Sequence, residues 1–204
     1  MTVYKQGDTS PSLTLSDPDC PEAVAVAEDG YVFVGDYYGA GVEVYPPGAT
    51  SPSERLTNPN IKELFAVGVD SQRNVYASGW GPQYSYSPVI IEYGPSGGAT
   101  NLGLEDMTYP SGVLVDKKGD IVESDFWRAV INIYGPGQKY PTSTISTSTE
   151  PDRSALDRKE NVIYVPTGQG DKVWAVRYPS GSSSKSIAIS GFAAGAAVVP
   201  APKP

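Results

Sequence analysis

The sequence predicts an all-β protein and, within that class, a β-propeller of four-stranded antiparallel blades. Three observations carry the prediction. First, 22 Gly and 19 Pro are spread through 204 residues, which leaves no room for long helices. Second, a turn phrase built on tyrosine recurs along the chain. Third, a strand–turn–strand phrase precedes each tyrosine. Four strand-like segments in a repeat of a little over 40 residues match the period and content of a propeller blade.

The tyrosine phrase appears as Tyr45-Pro-Pro-Gly48, Tyr93-Gly-Pro-Ser-Gly97, Tyr134-Gly-Pro-Gly137 and Tyr178-Pro-Ser-Gly181, with Tyr4-Lys-Gln-Gly7 as a degraded fifth copy. Each of the four full copies follows an apolar stretch, such as Gly41-Val-Glu-Val44 or Val130-Ile-Asn-Ile133. Proline presets φ at the start of a tight turn and glycine supplies the positive φ, so each copy reads as a strand running into a turn. The steps between tyrosines are 41, 48, 41 and 44 residues.

Each tyrosine strand is preceded by a hairpin. Ala23-Val-Ala-Val26 leads through Glu-Asp-Gly30 to Tyr31-Val-Phe-Val34. Leu64-Phe-Ala-Val-Gly-Val-Asp70 leads to Val75-Tyr-Ala-Ser78, Gly112-Val-Leu-Val-Asp116 to Asp120-Ile-Val-Glu123, and Ala155-Leu-Asp157 to Val162-Ile-Tyr-Val165. A shorter strand rich in Ser and Thr follows each tyrosine turn, as in Ser143-Thr-Ile-Ser146. The resulting blades are Pro21–Leu56, Lys62–Gly103, Tyr109–Thr147 and Asp152–Ser190. A β-sandwich does not explain five copies of one turn phrase.

What remains is Met1–Ser16 at one end and Phe192–Pro200 at the other. Joined, they make most of a fifth blade. From Tyr178 through the termini to Tyr4 is 30 residues, which is short of a full repeat by roughly one strand and its turn. Five blades are expected, the last lacking its second strand, with Ala194–Val199 pairing with Thr2–Tyr4 or Ser12–Leu15. The alternative is a fragment of a six-bladed ring, with an open sheet edge. Residues 1–200 read as one propeller domain and 201–204 as a Pro-rich tail. Mostly small residues on the innermost strands (Ala25, Gly68 and Ala155, with Leu114) predict a narrow, filled channel.

Composition excludes several chemistries. The chain has no histidine, which removes Ser-His-Asp triads, Cys-His dyads and His-based zinc sites. The lone cysteine, Cys20, makes no internal disulfide and has acids rather than a base beside it. The net charge of −8 disfavours nucleic acid as a partner, and no run of residues is long and apolar enough to span a membrane. Met1–Gly7 lacks the basic and apolar regions of a signal peptide. The expected setting is outside the cytoplasm, as a mature domain, with a cytoplasmic location as the alternative.

Candidate binding residues fall on one face. In a propeller the loops between second and third strands share a face with the blade-to-blade connections. Here those loops carry Asp36-Tyr37-Tyr38, Trp80 with Gln83-Tyr84-Ser85-Tyr86, and Asp125-Phe126-Trp127-Arg128. The connections add Glu105, Asp106 and Tyr109. The candidate ligand-binding set is therefore Asp36, Tyr37, Trp80, Tyr84, Tyr86, Glu105, Asp106, Asp125, Phe126, Trp127 and Arg128. Aromatic rings stack on sugars or hold cations, and carboxylates take hydroxyls or Ca²⁺. Asp36 and Asp125 also suit a structural role, capping the next turn. Asp70, Asp116 and Asp157 open hairpin turns on the other face and read as structural.

The phrases Val69-Asp70…Asn74-Val75-Tyr76 and Val42-Glu-Val-Tyr-Pro-Pro-Gly48 resemble bacterial NHL-type repeat propellers, in the wider group of gluconolactonase-like and strictosidine-synthase-like proteins. The resemblance runs from Val3 to Val199. Streptogramin lyases are similar in repeat character, but that family's chemistry uses histidine. Gluconolactonase-like enzymes hold a divalent metal with Glu, Asn and Asp, and the resemblance assigns no such ligand here. The function expected is non-catalytic binding of a carbohydrate, peptide or protein, with no cofactor beyond a possible Ca²⁺ or other divalent ion. The alternative is a divalent-metal-dependent hydrolase or lactonase using carboxylates of the same face.

Overall fold

The computed structural model describes residues 1–4, 7–16, 20–82, 86–168, 170–182, 184–191 and 193–197. They form four antiparallel four-stranded sheets and one hairpin. The hairpin is β1 (Thr2–Val3) with β2 (Leu13–Thr14). Blade one is β3 (Pro21–Val26), β4 (Val32–Asp36), β5 (Gly41–Tyr45) and β6 (Glu54–Thr57). Blade two is β7 (Glu63–Val69), β8 (Val75–Trp80), β9 (Pro88–Tyr93) and β10 (Ala99–Asn101). Blade three is β11 (Pro110–Val115), β12 (Ile121–Asp125), β13 (Val130–Tyr134) and β14 (Ser143–Ser146). Blade four is β15 (Ala155–Leu156), β16 (Val162–Pro166), β17 (Lys172–Arg177) and β18 (Ser184–Ala188). Each sheet runs in chain order, so the fold is a β-propeller with the blade contents the repeat predicts.

The repeated residues have repeated jobs. Gly48 and Gly137 take positive φ in their turns, where a Cβ would be strained. Tyr45, Tyr93, Tyr134 and Tyr178 are all buried. Three of them tie their blade to the unit before it. The Tyr45 hydroxyl donates to the Ser16 carbonyl, Tyr134 to the Glu105 carbonyl at 2.9 Å, and Tyr178 to Asp116 Oδ2 at 2.9 Å. Asp70, Asp116 and Asp157 accept backbone N–H groups of their own turns, as their positions predict. Between blades the faces pack as apolar clusters: Phe33 and Val42 against Val67 and Ile91, Tyr76 and Ile90 against Val113, and Val122 and Ile131 against Ile163 and Val165.

The innermost strands of the first three blades share a β-bulge. Register shifts between Pro21 and Ala23, between Leu64 and Ala66, and between Pro110 and Gly112. The extra residues are Glu22, Phe65 and Ser111. A bulge re-aims the side chain it carries, and these three sit where the innermost strands begin, beside the loop face.

The terminal pieces behave differently from expectation. Gly195 bridges Arg153 in parallel, at the head of blade four, and the Ala196 N–H donates to the Arg153 carbonyl at 2.9 Å. The β1–β2 hairpin is a sheet of its own, packed through Leu13 and Leu15 onto Val32, Val34 and Tyr45 of blade one. The expected pairing of 194–199 with Thr2–Tyr4 or Ser12–Leu15 is thus absent among the described residues; Val198 and Val199 lie outside them. The physical reason is at the axis. Blade four offers an open backbone beside Arg153, and the Arg153 side chain also holds the Ala194 carbonyl.

The channel is narrow but not filled. A cavity of about 290 Å³ runs along the innermost strands, lined by Ala25, Gly68, Leu114 and Ala155 among others, and by Ala196 and Ala197. The small residues leave this space between the four innermost strands.

Candidate ligand-binding face

Each of the four 2–3 loops is pinned to the connection entering its own blade. The Tyr37 N–H donates to Cys20, Lys62 to Trp80, Phe126 to Tyr109 and Gly168 to Glu150, all carbonyl acceptors. These bonds put loops and connections on one face, which fixes where the aromatic residues stand.

They stand together. Phe65 stacks on Tyr109 with centroids 4.5 Å apart and planes 5° apart. Trp80 meets both edge-on, at 4.9 and 5.0 Å. Trp127 lies 5.6 Å from Trp80 and 5.1 Å from Tyr109, and Tyr86 lies 4.4 Å from Trp80 and 5.3 Å from Trp127. Phe126 joins through Tyr109 at 5.4 Å, and Tyr37 through Phe65 at 5.9 Å. Tyr38 extends the chain of rings from Tyr37. Such edge and offset pairs each contribute about 0.5–1.5 kcal/mol beyond area burial. The cluster is layered. Phe65 is buried beneath, Trp80 and Tyr109 are half-buried, and Tyr86 and Trp127 are 61% and 52% exposed.

The candidate residues therefore sort unequally. Trp80, Tyr86, Phe126, Trp127 and Tyr37 belong to one cluster. Tyr84 lies outside the described residues. Asp106 and Arg128 form an ion pair at 2.6 Å next to Trp127 in sequence, and Arg128 also donates to the Asp106 carbonyl. Glu105 is not at the cluster. Its N–H donates to the Lys139 carbonyl and its carbonyl accepts from Tyr134 at the end of β13.

Asp36 and Asp125 are buried inside the sheet ends. Asp125 accepts from the Thr108 N–H and hydroxyl at 2.6 Å each, and from the Tyr109 and Arg128 N–H groups at 3.2 Å. It caps both the entering connection and the following turn. Asp36 does not cap the next turn. It pairs with Arg55 at 2.9 Å, and Arg55 also pairs with Glu43. The reason is local: blade one supplies an arginine on β6 where blade three has Thr144, whose hydroxyl donates to Asn132 Oδ1.

Two contributors were not visible as site residues in the sequence, Phe65 and Glu63. Both sit at the start of β7, where the pattern reads as strand. The Tyr37 hydroxyl donates to Glu63 Oε2 at 3.0 Å. Burial, with this carboxylate beside it, pushes the Tyr37 hydroxyl up to about 12. Tyr109 is likewise raised, by burial and then by the nearby Asp152. Beyond Phe65, at the axial mouth, Arg153 gathers Glu22, Asp152 and two backbone carbonyls. The face thus offers an aromatic surface flanked by the Asp106–Arg128 and Arg153–Glu22 ion pairs, with the Glu63 carboxylate held by Tyr37. Among the described residues, no three His, Cys, Asp or Glu side chains are grouped to hold a metal ion.

Comparison with family models and with curated proteins gives no match. Comparison with solved structures gives many. A protein of unknown function from Bacteroides caccae is 14% identical with a TM-score of 0.62, covering 82% of this chain and 60% of its own. A catalytically inactive histidine-to-alanine variant of virginiamycin B lyase from Staphylococcus aureus, with quinupristin, is 14% identical with a TM-score of 0.64, covering 87% and 59%. Kuenenia stuttgartiensis hydrazine synthase is 14% identical with a TM-score of 0.63, covering 91% and 53%. This chain spans between half and three fifths of the length of these structures. No helix among the described residues is long and apolar enough to cross a membrane. By its four four-stranded sheets and by these likenesses, the chain is a β-propeller protein.

Proposed function

We propose that the protein is a non-catalytic binding module whose loop face takes a carbohydrate through the exposed rings of Tyr86 and Trp127. One observation carries the reading: two large aromatic side chains stand more than half exposed while held from below by Trp80, Tyr109 and buried Phe65. Exposed apolar surface on a rigid base is a mark of an interaction site. The flat, C–H-lined face of a sugar ring fits such a surface, and the Asp106–Arg128 pair beside it supplies acceptors and donors for hydroxyls. The net charge of −8 argues against a polyanionic ligand. Within the propellers, the repeat phrases support an NHL-type relationship.

Binding is favoured over hydrolysis because the carboxylates nearest the rings are engaged: Asp125 in capping, Asp36 with Arg55, Asp106 with Arg128 and Glu63 with the Tyr37 hydroxyl. The lyase neighbour is inactivated by loss of a histidine, and this chain has none. The reading is tested by titrating neutral oligosaccharides from a glycan array into the full chain and following tryptophan fluorescence. Saturable quenching that is lost in Trp127→Ala and Tyr86→Ala supports it. Binding that survives both substitutions places the site elsewhere.

A further inference from the structure

At the interfaces of blade one with blade two and of blade two with blade three, one position is covered in the same way. The second residue after the bulge is Val24 in β3, Val67 in β7 and Val113 in β11, pairing with Val34, Ala77 and Glu123. Val67 is 7% exposed and packs in one cluster with Phe33, from the second strand of the preceding blade. Val113 is 3% exposed and packs with Tyr76, also from the preceding second strand. Val24 has no such cover. It is 52% exposed, and Val26 on the same face is 61% exposed.

The uncovered strip has definite borders. On its outer side the β1–β2 hairpin buries Val34, the register partner of Val24, and packs on Val32, the partner of Val26. On its axial side Ala196 and Ala197 line the same cavity as Val24 and Val26. The hairpin carries the tyrosine phrase and the Ser/Thr strand, which are third- and fourth-strand features, and residues 193–197 run parallel to the head of an innermost strand. The strip lies where a second strand would belong. The hairpin also offers an edge. The Met1 and Val3 carbonyls accept from Leu15 and Ser12, so the alternating Thr2 backbone faces away from β2.

We infer that this strip is a strand-docking groove that accepts, in trans, an extended peptide with an aromatic residue between β-branched neighbours. That chemistry is taken from blades one and four, whose second strands read Val32-Phe33-Val34 and Ile163-Tyr164-Val165; blade two keeps the aromatic, Tyr76, and blade three has Val122 there. The occupying strand adds backbone bonds along the Thr2 edge, and its aromatic side chain lies over Val24 and Val26 as Phe33 lies over Val67. This is strand addition to an exposed sheet edge, continuous with the interface the hairpin already makes. The groove is separate from the aromatic loop face, and neither reading depends on the other.

The test uses the full chain and a fluorescent peptide copying residues 30–36, Gly-Tyr-Val-Phe-Val-Gly-Asp, read by anisotropy. Saturable binding in the micromolar range is expected. Replacing the peptide's Phe by Ser, or making Val24→Asp or Val26→Asp in the protein, should weaken it at least about tenfold, while Val24→Ile should retain it. Both valines are exposed, so thermal melts of the Asp variants should match the parent. No saturation up to about 1 mM peptide overturns the inference, as does binding indifferent to both Asp variants. Sedimentation that finds a dimer dissociated by Val24→Asp also overturns it, and assigns the strip to a second copy of the chain.

Discussion

The Arg153 Nε donates a 3.0 Å hydrogen bond to the carbonyl of Phe65, a residue 88 positions earlier and two blades away. The same guanidinium pairs with Glu22 of blade one, and its Nη1 reaches the Ala194 carbonyl at 3.0 Å. Both Glu22 and Phe65 are bulge residues. The bulges therefore bring two blades within reach of one side chain at the axial mouth, and that side chain also holds the C-terminal segment beside blade four. Arginine suits the position because its planar group carries five donors in a fixed fork.

Arg153→Ala should remove several of these links at once and leave the Phe65 carbonyl and Glu22 without their partner. A loss of about 1–3 kcal/mol is expected. For a chain of this size that lowers Tm by roughly 2–4 °C per kcal/mol. Arg153→Lys should recover only part, because an ammonium cannot reach three directions in one plane. Calorimetry of the two variants checks both statements, and a Lys variant as stable as the parent would contradict the second.

The layered aromatic cluster separates foundation from surface. Phe65→Ala empties a buried site under Tyr109 and Trp80 and should cost about 3–5 kcal/mol. Trp127→Ala removes a ring that is mostly in water and should change stability by less than about 1 kcal/mol. Urea denaturation of both reads the difference. Equal losses would mean that Trp127 is packing rather than platform.

Gly68 marks how closely adjacent blades approach. A Cβ there would stand 2.7 Å from the Val113 carbonyl oxygen of the next innermost strand. The obstacle is backbone, which cannot swing aside, so Gly68→Ala should cost about 1–3 kcal/mol by forcing blades two and three apart. An unchanged melting temperature would show that the ring yields at this point.

The sequence carried the blades because their signals are local and repeated. Tyr134 and its Pro-Gly turn are legible in four adjacent residues, and the hairpin at Asp116 in nine. The site was legible only where it sits in loops, as with Trp80, Tyr86 and Trp127. Phe65 was hidden because a bulge of one residue turns it to the loop face while the apolar pattern of β7 still looks like plain strand, and Glu63 because it opens that strand opposite Trp80. Glu105 shows the opposite limit. It lies in a connection by sequence, yet Lys139 and Tyr134 hold that part of the connection against the side of blade three. The place of residues 193–197 depended on one long-range partner, Arg153, which no local pattern announces.

Glu123 gives the most direct electrostatic prediction. It is fully buried in β12 and takes one hydrogen bond, from Asn132 Nδ2 at 2.9 Å, while its Oε1 has no partner. Burial first, and then the neighbouring Asp125 charge, raise its carboxyl well above the ordinary value of 4.5. The folded protein therefore keeps this proton at pH values where the unfolded chain has released it. More protons bound in the folded state means that stability falls as pH rises above about 4.5, and goes on falling until the folded group ionises. Glu123→Gln keeps the shape and removes the titration. The parent-minus-variant stability should therefore decline as pH rises above about 4.5, by up to about 1.4 kcal/mol per pH unit, and level off where the folded carboxyl ionises. Asp120 and Asp152 are also raised, and Asp157 is lowered, but all three are common to parent and variant and drop out of the difference. Urea titrations at half-unit intervals would measure it. Parallel curves for the two proteins would show that Glu123 carries its charge inside blade three, with water or a relaxed Asn132 supplying the partner that its Oε1 lacks.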